Sequence, residues 1–257
     1  MTTDFGLKDP YVAEMKAVIL GISPSASIVD ITHDIDKFDV KMAAYTLACA
    51  SPYFPRGTVH VAVVDPHVGT KRRPLLIQTQ KEFYVGPDNG VLALAANNQG
   101  IEHVFEITNR RLMLSAISNT FHARDIFAPV AAHLVGGTRP EEVGPEIRKI
   151  PTPGFARVVR RKNMLIGAVL HIDGFGNMIT NFRQQELDSL GTVETLNVKM
   201  KNRKLRLKLR RAYAEAKNKE ALAIVGSHDF LEISVNQGDA AATFKARRGD
   251  KITLFKA

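Results

Sequence analysis

The hydrophobic periodicity of this chain changes near residue 150. Before that point, short apolar runs with strand character alternate with stretches in which apolar residues recur at helical spacing. Such alternation is typical of an α/β protein with a largely parallel central sheet. After that point nearly every apolar run has strand character, which predicts a smaller β domain of barrel-like form.

The segment IPTPGFARVVRR (150–161) separates the two patterns. Its prolines and glycine interrupt both helical and strand periodicity, so the segment is typical of a domain boundary. We therefore predict two domains, residues 1–154 and residues 155–257.

Three local features of the first domain lead to specific predictions. Asp9 is predicted to cap a helix that has Pro10 as its first residue and continues through YVAEMKAVIL (11–20). The run SIVDIT (27–32) is predicted to form a strand. Cys49 lies in an apolar helical pattern, and we interpret it as a small core residue.

The composition is that of a globular protein. Hydrophobic residues make up 45% and charged residues 24% of the 257 residues, and no run of roughly 18 apolar residues could cross a bilayer. The N-terminal sequence MTTDFGLKDP lacks the basic and apolar regions of a signal peptide. A single cysteine cannot form an internal disulfide. We therefore expect a soluble protein of the cytoplasm.

The formal net charge of +9 is concentrated in one segment. Residues 1–150 carry 15 Lys and Arg against 16 Asp and Glu, whereas residues 151–257 carry 20 against 10. Within the second part, residues 198–219 alone contain ten cations and one glutamate. The basicity is therefore local and does not by itself indicate a nucleic-acid-binding protein.

The sequence KLRLKLR (204–210) lies inside this basic segment. Its leucines alternate with lysines and arginines, which is the pattern of a strand with one wet face. We interpret it as a solvated edge strand whose cations discourage pairing with other chains. Nucleic-acid binding by this strand is the alternative, but no aromatic residue is interleaved in KLRLKLR to stack bases, so nucleic acid is not an expected partner.

Several polar residues lie at the ends of predicted elements of the first domain. Asp65 ends the strand TVHVAVVD (58–65), Arg72 follows seven residues later, and Asp4 and His122 each precede a helix. Ligands of open α/β sheets bind beyond the carboxyl ends of strands, where a carboxylate, a guanidinium and an imidazole could activate a water molecule. Taken singly, each residue could instead cap a turn or be an interior polar group. No cluster of His, Cys or carboxylate residues indicates a metal site.

Six blocks extend in order over almost the whole chain: TTDFGLKDPYVAEMK, VVDPHVGTKRR, YVGPDNGVL, NTFHARDIFAPVAAHL, IDGFGNMITN and SHDFLEISVNQGDAA. Together they resemble the S-adenosylmethionine (SAM) hydroxide adenosyltransferases, the adenosine-forming SAM hydrolases related to fluorinating and chlorinating SAM enzymes. The resemblance implies hydrolysis of SAM to adenosine and methionine without a cofactor or metal. It also implies a homotrimer in which each SAM is held between the N-terminal domain of one subunit and the C-terminal domain of its neighbour.

Roles for individual residues follow from the same resemblance. Asp65, Arg72 and His122 match the catalytic group that handles water. Arg72 would keep Asp65 ionised and oriented, and either Asp65 or His122 would accept the proton. The matched substrate-binding positions are Asp4 (ribose hydroxyls), Asp9 (methionine amine), Phe38 and Phe121 (adenosine), and Asp173, Phe175, Asn177, Ser227, Glu232 and Val235 (methionine or adenine).

Two residues depart from the family pattern. His67 replaces the glycine usual in VDPGVGT, and Ala123 replaces the glycine of FHGRD, so a glycine-specific backbone angle at either position would be lost. These departures keep open a SAM-binding or adenosine-binding protein without turnover. A halogenase of the same superfamily is the other alternative, although the carboxylate of Asp65 would repel a halide ion.

Overall fold

In the computed structural model, which describes residues 1–148, 150, 154–191 and 194–255, the chain forms two compact units, Met1–Pro153 and Gly154–Ala257. The helices of the first unit are α1 (Tyr11–Ile22), α2 (Val40–Ala50), α3 (Ala93–Gln99) and α4 (Ala128–Val135). Its strands are β1 (Thr2–Thr3), β2 (Val59–Val63), β3 (Pro74–Thr79), β4 (Phe83–Pro87) and β5 (Ile101–Glu106). Short 3-10 turns occur at Ser51–Tyr53, Arg110–Leu112 and Pro140–Glu142, and a π-helical turn at Ala123–Phe127.

The sheet of the first unit has the strand order β1-β2-β4-β3-β5. Its β1–β2 and β2–β4 pairs are parallel, whereas β3 is antiparallel to both β4 and β5, so four of the five described strands run in one direction. Val61, Ala62 and Val63 are consecutive residues of β2 and all are buried, which shows that both faces of the sheet are covered. The predicted α/β class with a largely parallel sheet is confirmed.

The start of α1 differs from the prediction by one residue. The helix begins at Tyr11, and Pro10 occupies the capping position with φ −73° and ψ −6°. The carbonyl of Pro10 accepts a hydrogen bond from the backbone N–H of Glu14 at 2.9 Å, and no side chain caps the helix. The fixed φ of proline thus presets the first turn, and Asp9 remains exposed without the predicted capping role.

The predicted strand at residues 27–32 is also wrong. This run pairs with the sheet through one isolated bridge, between Thr2 and Thr32, because β1 contains only two residues and offers few ladder positions. Strand propensity without a partner of adequate length does not produce a strand. The interpretation of Cys49 as a core residue is confirmed, since it is buried on α2.

The second unit is built almost entirely of strands. They are β6 (Val159–Arg161), β7 (Met164–Ile172), β8 (Met178–Arg183), β9 (Thr195–Met200), β10 (Arg203–Arg210), β11 (Ala221–Val225), β12 (Phe230–Val235) and β13 (Lys251–Phe255). Two short helices, α5 (Gln184–Asp188) and α6 (Ala240–Phe244), and 3-10 turns at Gly154–Ala156 and Tyr213–Glu215 connect them.

Seven of these strands close into a barrel. The order β13-β9-β10-β11-β12-β8-β7 returns to β13 through an antiparallel β7–β13 pair, and β6 adds to β7 outside the ring. Leu196 and Val198 of β9, Leu207 of β10 and Leu254 of β13 point into a common core. The predicted barrel-like domain is therefore confirmed.

The basic strand β10 is not an edge strand, and this part of the sequence prediction is wrong. It pairs with β9 on one side and β11 on the other, because a closed ring leaves its member strands no free edge. The alternation itself was interpreted correctly: Leu207 is buried, whereas Arg206 and Lys208 are exposed on the outside of the barrel. No helix in the described part of the chain is both long and apolar enough to span a membrane.

Candidate active site

The centre of the site is a contact between three side chains at the end of β2. Nε and Nη2 of Arg72 both donate to Oδ2 of Asp65, at 2.8 and 2.5 Å, and Nη2 also lies 2.8 Å from Nδ1 of His122. The Asp65 and Arg72 side chains are only 4% and 7% exposed. Charge-assisted hydrogen bonds in such a buried setting hold both groups in fixed positions.

The loop after β2 folds back because it makes two consecutive turns. The carbonyl of Asp65 accepts from the N–H of Val68 at 3.3 Å, and that of His67 accepts from the N–H of Thr70 at 3.2 Å. Gly69, between these donors, has φ +76°, and a Cβ there would overlap the carbonyl oxygen of Asn119. These turns bring residue 72 back to the strand end.

One element, the π-helical turn after His122, positions both the imidazole of His122 and the aromatic ring that packs against Arg72. His122 immediately precedes the π-helical turn Ala123–Phe127, and the guanidinium of Arg72 lies 5.3 Å from the centroid of the Phe127 ring. Asp125, in the same turn and fully buried, accepts from the Ser118 N–H at 2.7 Å. The turn therefore places the imidazole and supports the guanidinium together.

The hydrogen-bond pattern fixes the chemistry of each group. A guanidinium only donates, so Nδ1 of His122 must be the unprotonated acceptor and the hydrogen of the neutral ring lies on Nε2. The pKa of His122 is lowered below its usual 6.5, because burial and the charge of Arg72 both disfavour the imidazolium. Oδ1 of Asp65 is buried and has no hydrogen-bond partner among the described residues, so it can accept a further hydrogen bond.

The first unit contains a cavity of about 580 Å³. One wall is aromatic: the rings of Phe5, Tyr11 and Phe121 lie 5.2 to 5.8 Å apart in tilted and edge-on contacts. Asp65 and His122 also line it. The cavity thus combines an apolar surface with a small number of fixed polar groups, as ligand sites usually do.

Asp4 and Phe38 form another part of the cavity lining. Oδ2 of Asp4 accepts from the N–H of Phe38 at 2.9 Å, and Nζ of Lys37 donates to the Asp4 carbonyl. Phe38 has φ +65°, an uncommon conformation for a non-glycine residue, and is 68% exposed. Asp4 is buried, so its carboxylate is held in a defined orientation at the cavity wall.

The structure brings together most, but not all, of the predicted site residues of the first unit. Asp4, Phe38 and Phe121 line the same cavity as Asp65 and His122. Arg72 does not line it and acts on it through Asp65 and His122, and Asp9 is exposed and does not line it. The cavity also contains residues that the sequence interpretation did not select, Tyr11 and Lys37 among them. Tyr11 stands in a helical pattern, YVAEMKAVIL, and that pattern gives no sign of its ring contacts with Phe5 and Phe121.

In the second unit, three predicted residues lie in the turn between β7 and β8. Oδ1 of Asp173 accepts from the N–H groups of Phe175 and Asn177 at 2.9 and 2.8 Å, and its Oδ2 accepts from Nδ2 of Asn177 at 2.9 Å. The ring of Phe175 is 82% exposed at the tip of this turn. A rigid polar loop that presents one exposed aromatic ring suits contact with a planar ligand.

The remaining predicted residues lie on or beside β12. Glu232 accepts a hydrogen bond from the Tyr213 hydroxyl at 2.6 Å, and its pKa is raised by burial and by the nearby charge of Asp173. Ser227 is exposed in the turn before β12, and Val235 is buried at the end of that strand. Sequence reasoning missed Tyr213, because it lies in the basic segment that we had interpreted as a solvated surface.

Comparisons with known proteins agree with this arrangement. Residues 1–144 match the model of the SAM hydroxide adenosyltransferase N-terminal domain, and residues 167–253 match that of the C-terminal domain. The chain belongs to the SAM hydroxide adenosyltransferase family. The predicted family membership is thus confirmed.

Individual relatives in and near the SAM hydroxide adenosyltransferase family are similar over nearly full length. The chain is 37% identical to an (R)-S-adenosyl-L-methionine hydrolase of Thermus thermophilus, over 98% of this chain and 97% of that protein. A crystal structure of an uncharacterized conserved protein from Thermotoga maritima has a TM-score of 0.89 and 38% identity, covering 99% of this chain and 98% of the other. A fluorinase of Actinoplanes sp. is more distant, at 24% identity over 99% of this chain and 96% of that protein.

The two departures from the pattern of the SAM hydroxide adenosyltransferase family leave the backbone unstrained. Neither His67 nor Ala123 has a positive φ, so neither position requires glycine for its conformation. His67 is exposed in the loop after β2, and Ala123 is buried at the cavity wall. Among the described residues, no group of three His, Cys, Asp or Glu side chains could hold a metal ion.

Proposed function

We propose that this protein hydrolyses SAM to adenosine and L-methionine by attack of water on the 5′ carbon of the ribose. Membership of the family and the similarity to an (R)-S-adenosyl-L-methionine hydrolase support the substrate and the reaction. The observation that carries the proposal is the arrangement of Asp65. Its buried Oδ1 has no partner in the described part of the chain, whereas two hydrogen bonds from Arg72 hold its Oδ2, and His122 in turn contacts Arg72.

The reaction is a substitution in which the leaving group needs little assistance. The water oxygen forms a bond to C5′ as the C5′–S bond breaks, and the electron pair of that bond neutralises the sulfonium to give methionine. One proton of the water must leave as the new C5′–O bond forms. The site therefore has to orient one water molecule and accept its proton, and we propose that it needs no cofactor.

We assign proton acceptance to Asp65. Nδ1 of His122 is already occupied by Arg72, and Nε2 carries the hydrogen, so the imidazole can donate to the water but cannot accept from it. Oδ1 of Asp65 can accept, and Arg72 prevents the carboxylate from rotating. These contacts support Asp65 rather than His122 as the base, a question that the sequence alone did not decide.

The substrate would be oriented by both units. We propose that Asp4 binds the ribose hydroxyls and that Phe38 and Phe121 contact the adenosine. Asp9 would hold the methionine amine, although it lies outside the cavity lining of the first unit. Asp173, Phe175, Asn177, Ser227, Glu232 and Val235 would contact methionine or adenine. We propose a homotrimer in the cytoplasm, each SAM lying between the first unit of one subunit and the second unit of its neighbour.

Incubation of the purified protein with SAM, followed by reversed-phase chromatography, tests this function. Adenosine and methionine should appear in equal amounts, and an Asp65→Ala variant should bind SAM without forming either. A halide ion added at high concentration should not yield a halogenated nucleoside, because Asp65 repels anions at this position. Absence of adenosine above the level of the Asp65→Ala variant would contradict the proposal.

A further inference from the structure

The cations of β10 need an explanation other than edge protection. The strand has neighbours on both sides, so its lysines and arginines block no free edge. They lie on the outer surface of the barrel, where Lys204 and Arg206 are exposed. Protection of a free strand edge therefore does not explain the basic residues of β10.

The strand register collects further residues beside these cations. Phe255 of β13 lies opposite Asn197 of β9, which lies opposite Arg206 of β10. In the adjacent row Lys199 lies directly opposite Lys204. We call these five residues the outer basic face. Its two rows are two residues, or about 7 Å, apart along the strands.

The outer basic face lines a depression of about 340 Å³ on the barrel. No carboxylate lines this depression, and no ion pair within the described residues involves Lys199, Lys204 or Arg206. A neighbouring depression further along β10 differs, because Glu215 and Glu220 line it together with cations. Positive charge is thus uncompensated at the outer basic face in particular.

This arrangement opposes the stability of the barrel. Like charges directly opposite each other on paired strands repel, and Lys199 and Lys204 are such a pair. A like-charge pair that lowers the folding stability and brings no structural benefit is typical of a surface with a function. An anionic partner would remove the repulsion, since each phosphate could lie between two cations.

We propose that the outer basic face binds single-stranded nucleic acid. Lys199, Lys204 and Arg206 would contact phosphates, and the half-exposed ring of Phe255 would stack on a base. No aromatic residue is interleaved in KLRLKLR (204–210) itself, but the fold places Phe255 of β13 in the same row as Arg206. A single strand is favoured over a duplex because base faces are accessible for stacking only when the bases are unpaired.

Fluorescence anisotropy with labelled 12-nucleotide oligouridine and oligodeoxythymidine tests this proposal on the 257-residue chain. Three phosphate contacts predict that log K falls by about 2 per log unit of salt for a single strand. A Lys199→Gln, Lys204→Gln, Arg206→Gln triple variant should lose binding. The matched control is the triple variant Lys41→Gln, Lys81→Gln, Arg110→Gln, which removes the same charge from exposed positions of the first unit and should bind like the wild type.

Phe255→Ala separates stacking from general charge attraction. Loss of one stacked base should weaken binding of the single strand by roughly 5-fold to 150-fold and leave binding of a duplex of equal length unchanged. SAM turnover and thermal melting of each variant verify that the fold is retained. Equal binding by both triple variants, no effect of Phe255→Ala, or tighter binding of poly-glutamate than of the oligonucleotides would each overturn the proposal.

Discussion

Replacing Asp65 by asparagine tests which group accepts the proton. Two hydrogens of Arg72 point at the position of Oδ2, so the asparagine must present its oxygen there. Its NH2 group then takes the position of Oδ1. The attacking water would meet a donor where the mechanism needs an acceptor, although the shape of the side chain is unchanged.

The expected loss is that of a general base. Such groups contribute about 10²-fold to 10⁴-fold to the rate, so kcat should fall by that factor, which corresponds to about 3 to 5 kcal/mol of barrier. The buried guanidinium keeps an acceptor but loses its counter-charge, so the loss of folding free energy should stay below the roughly 3 to 5 kcal/mol of a fully broken buried pair. Single-turnover adenosine formation measures the rate of the chemical step, and thermal unfolding measures the loss of folding free energy. Calorimetry should show that the affinity for SAM is unchanged.

The chain offers a matched control one residue further along. Nε and Nη2 of Arg73 donate to Oδ2 of Asp88 at 2.9 and 2.5 Å, the same geometry, and neither residue lines the cavity. Asp88→Asn should therefore turn over SAM like the wild type. If Asp65→Asn retained the wild-type rate, or if both variants were equally slow, the assignment of Asp65 as proton acceptor would be wrong.

Four further predictions concern pH, the loop, metals and assembly. The pKa of His122 lies below 6.5, and protonation of its ring would remove the acceptor that faces Arg72, so kcat should stay level from about pH 8 to 6.5 and fall only below pH 6.5. The free energy of unfolding should also fall below pH 6.5, because His122 takes up a proton at higher pH in the unfolded chain than in the folded one. Gly69→Ala should lower the melting temperature and kcat, because φ +76° costs an L-residue about 1 to 2 kcal/mol and the new methyl group would displace the loop that carries Arg72. Dialysis against a metal chelator should leave turnover unchanged. Light scattering should give roughly three times 28.3 kDa, and a fully active monomer would contradict the shared site.

Local sequence patterns predicted most of the fold because burial and periodicity are local properties. The leucines of β10 indicated its inward face correctly, and the run 58–65 was correctly predicted to contain a strand, Val59–Val63. Neighbours in a sheet are not local, however: the sequence gives no sign that β10 lies between β9 and β11, or that residues 27–32 find only a two-residue strand to pair with.

The site was predictable to a similar extent. The family resemblance implied that Arg72 orients Asp65, and the structure shows the two turns that bring residue 72 back to the strand end. The hydrogen-bonding state of His122 could not be read from the sequence, because it depends on which ring nitrogen faces the guanidinium. The role of Tyr213 was not visible either: its sequence context is a basic segment, and its hydrogen bond to Glu232 joins residues that no motif connects.

The central claim is that water attacks C5′ of SAM, and an isotope experiment tests it most directly. The protein is incubated with SAM in heavy-oxygen water, and the products are examined by mass spectrometry. The account predicts adenosine with one heavy oxygen, located in its 5′-hydroxyl group, together with unlabelled methionine. Adenosine without the label, or cleavage of SAM to methylthioadenosine instead, would contradict it.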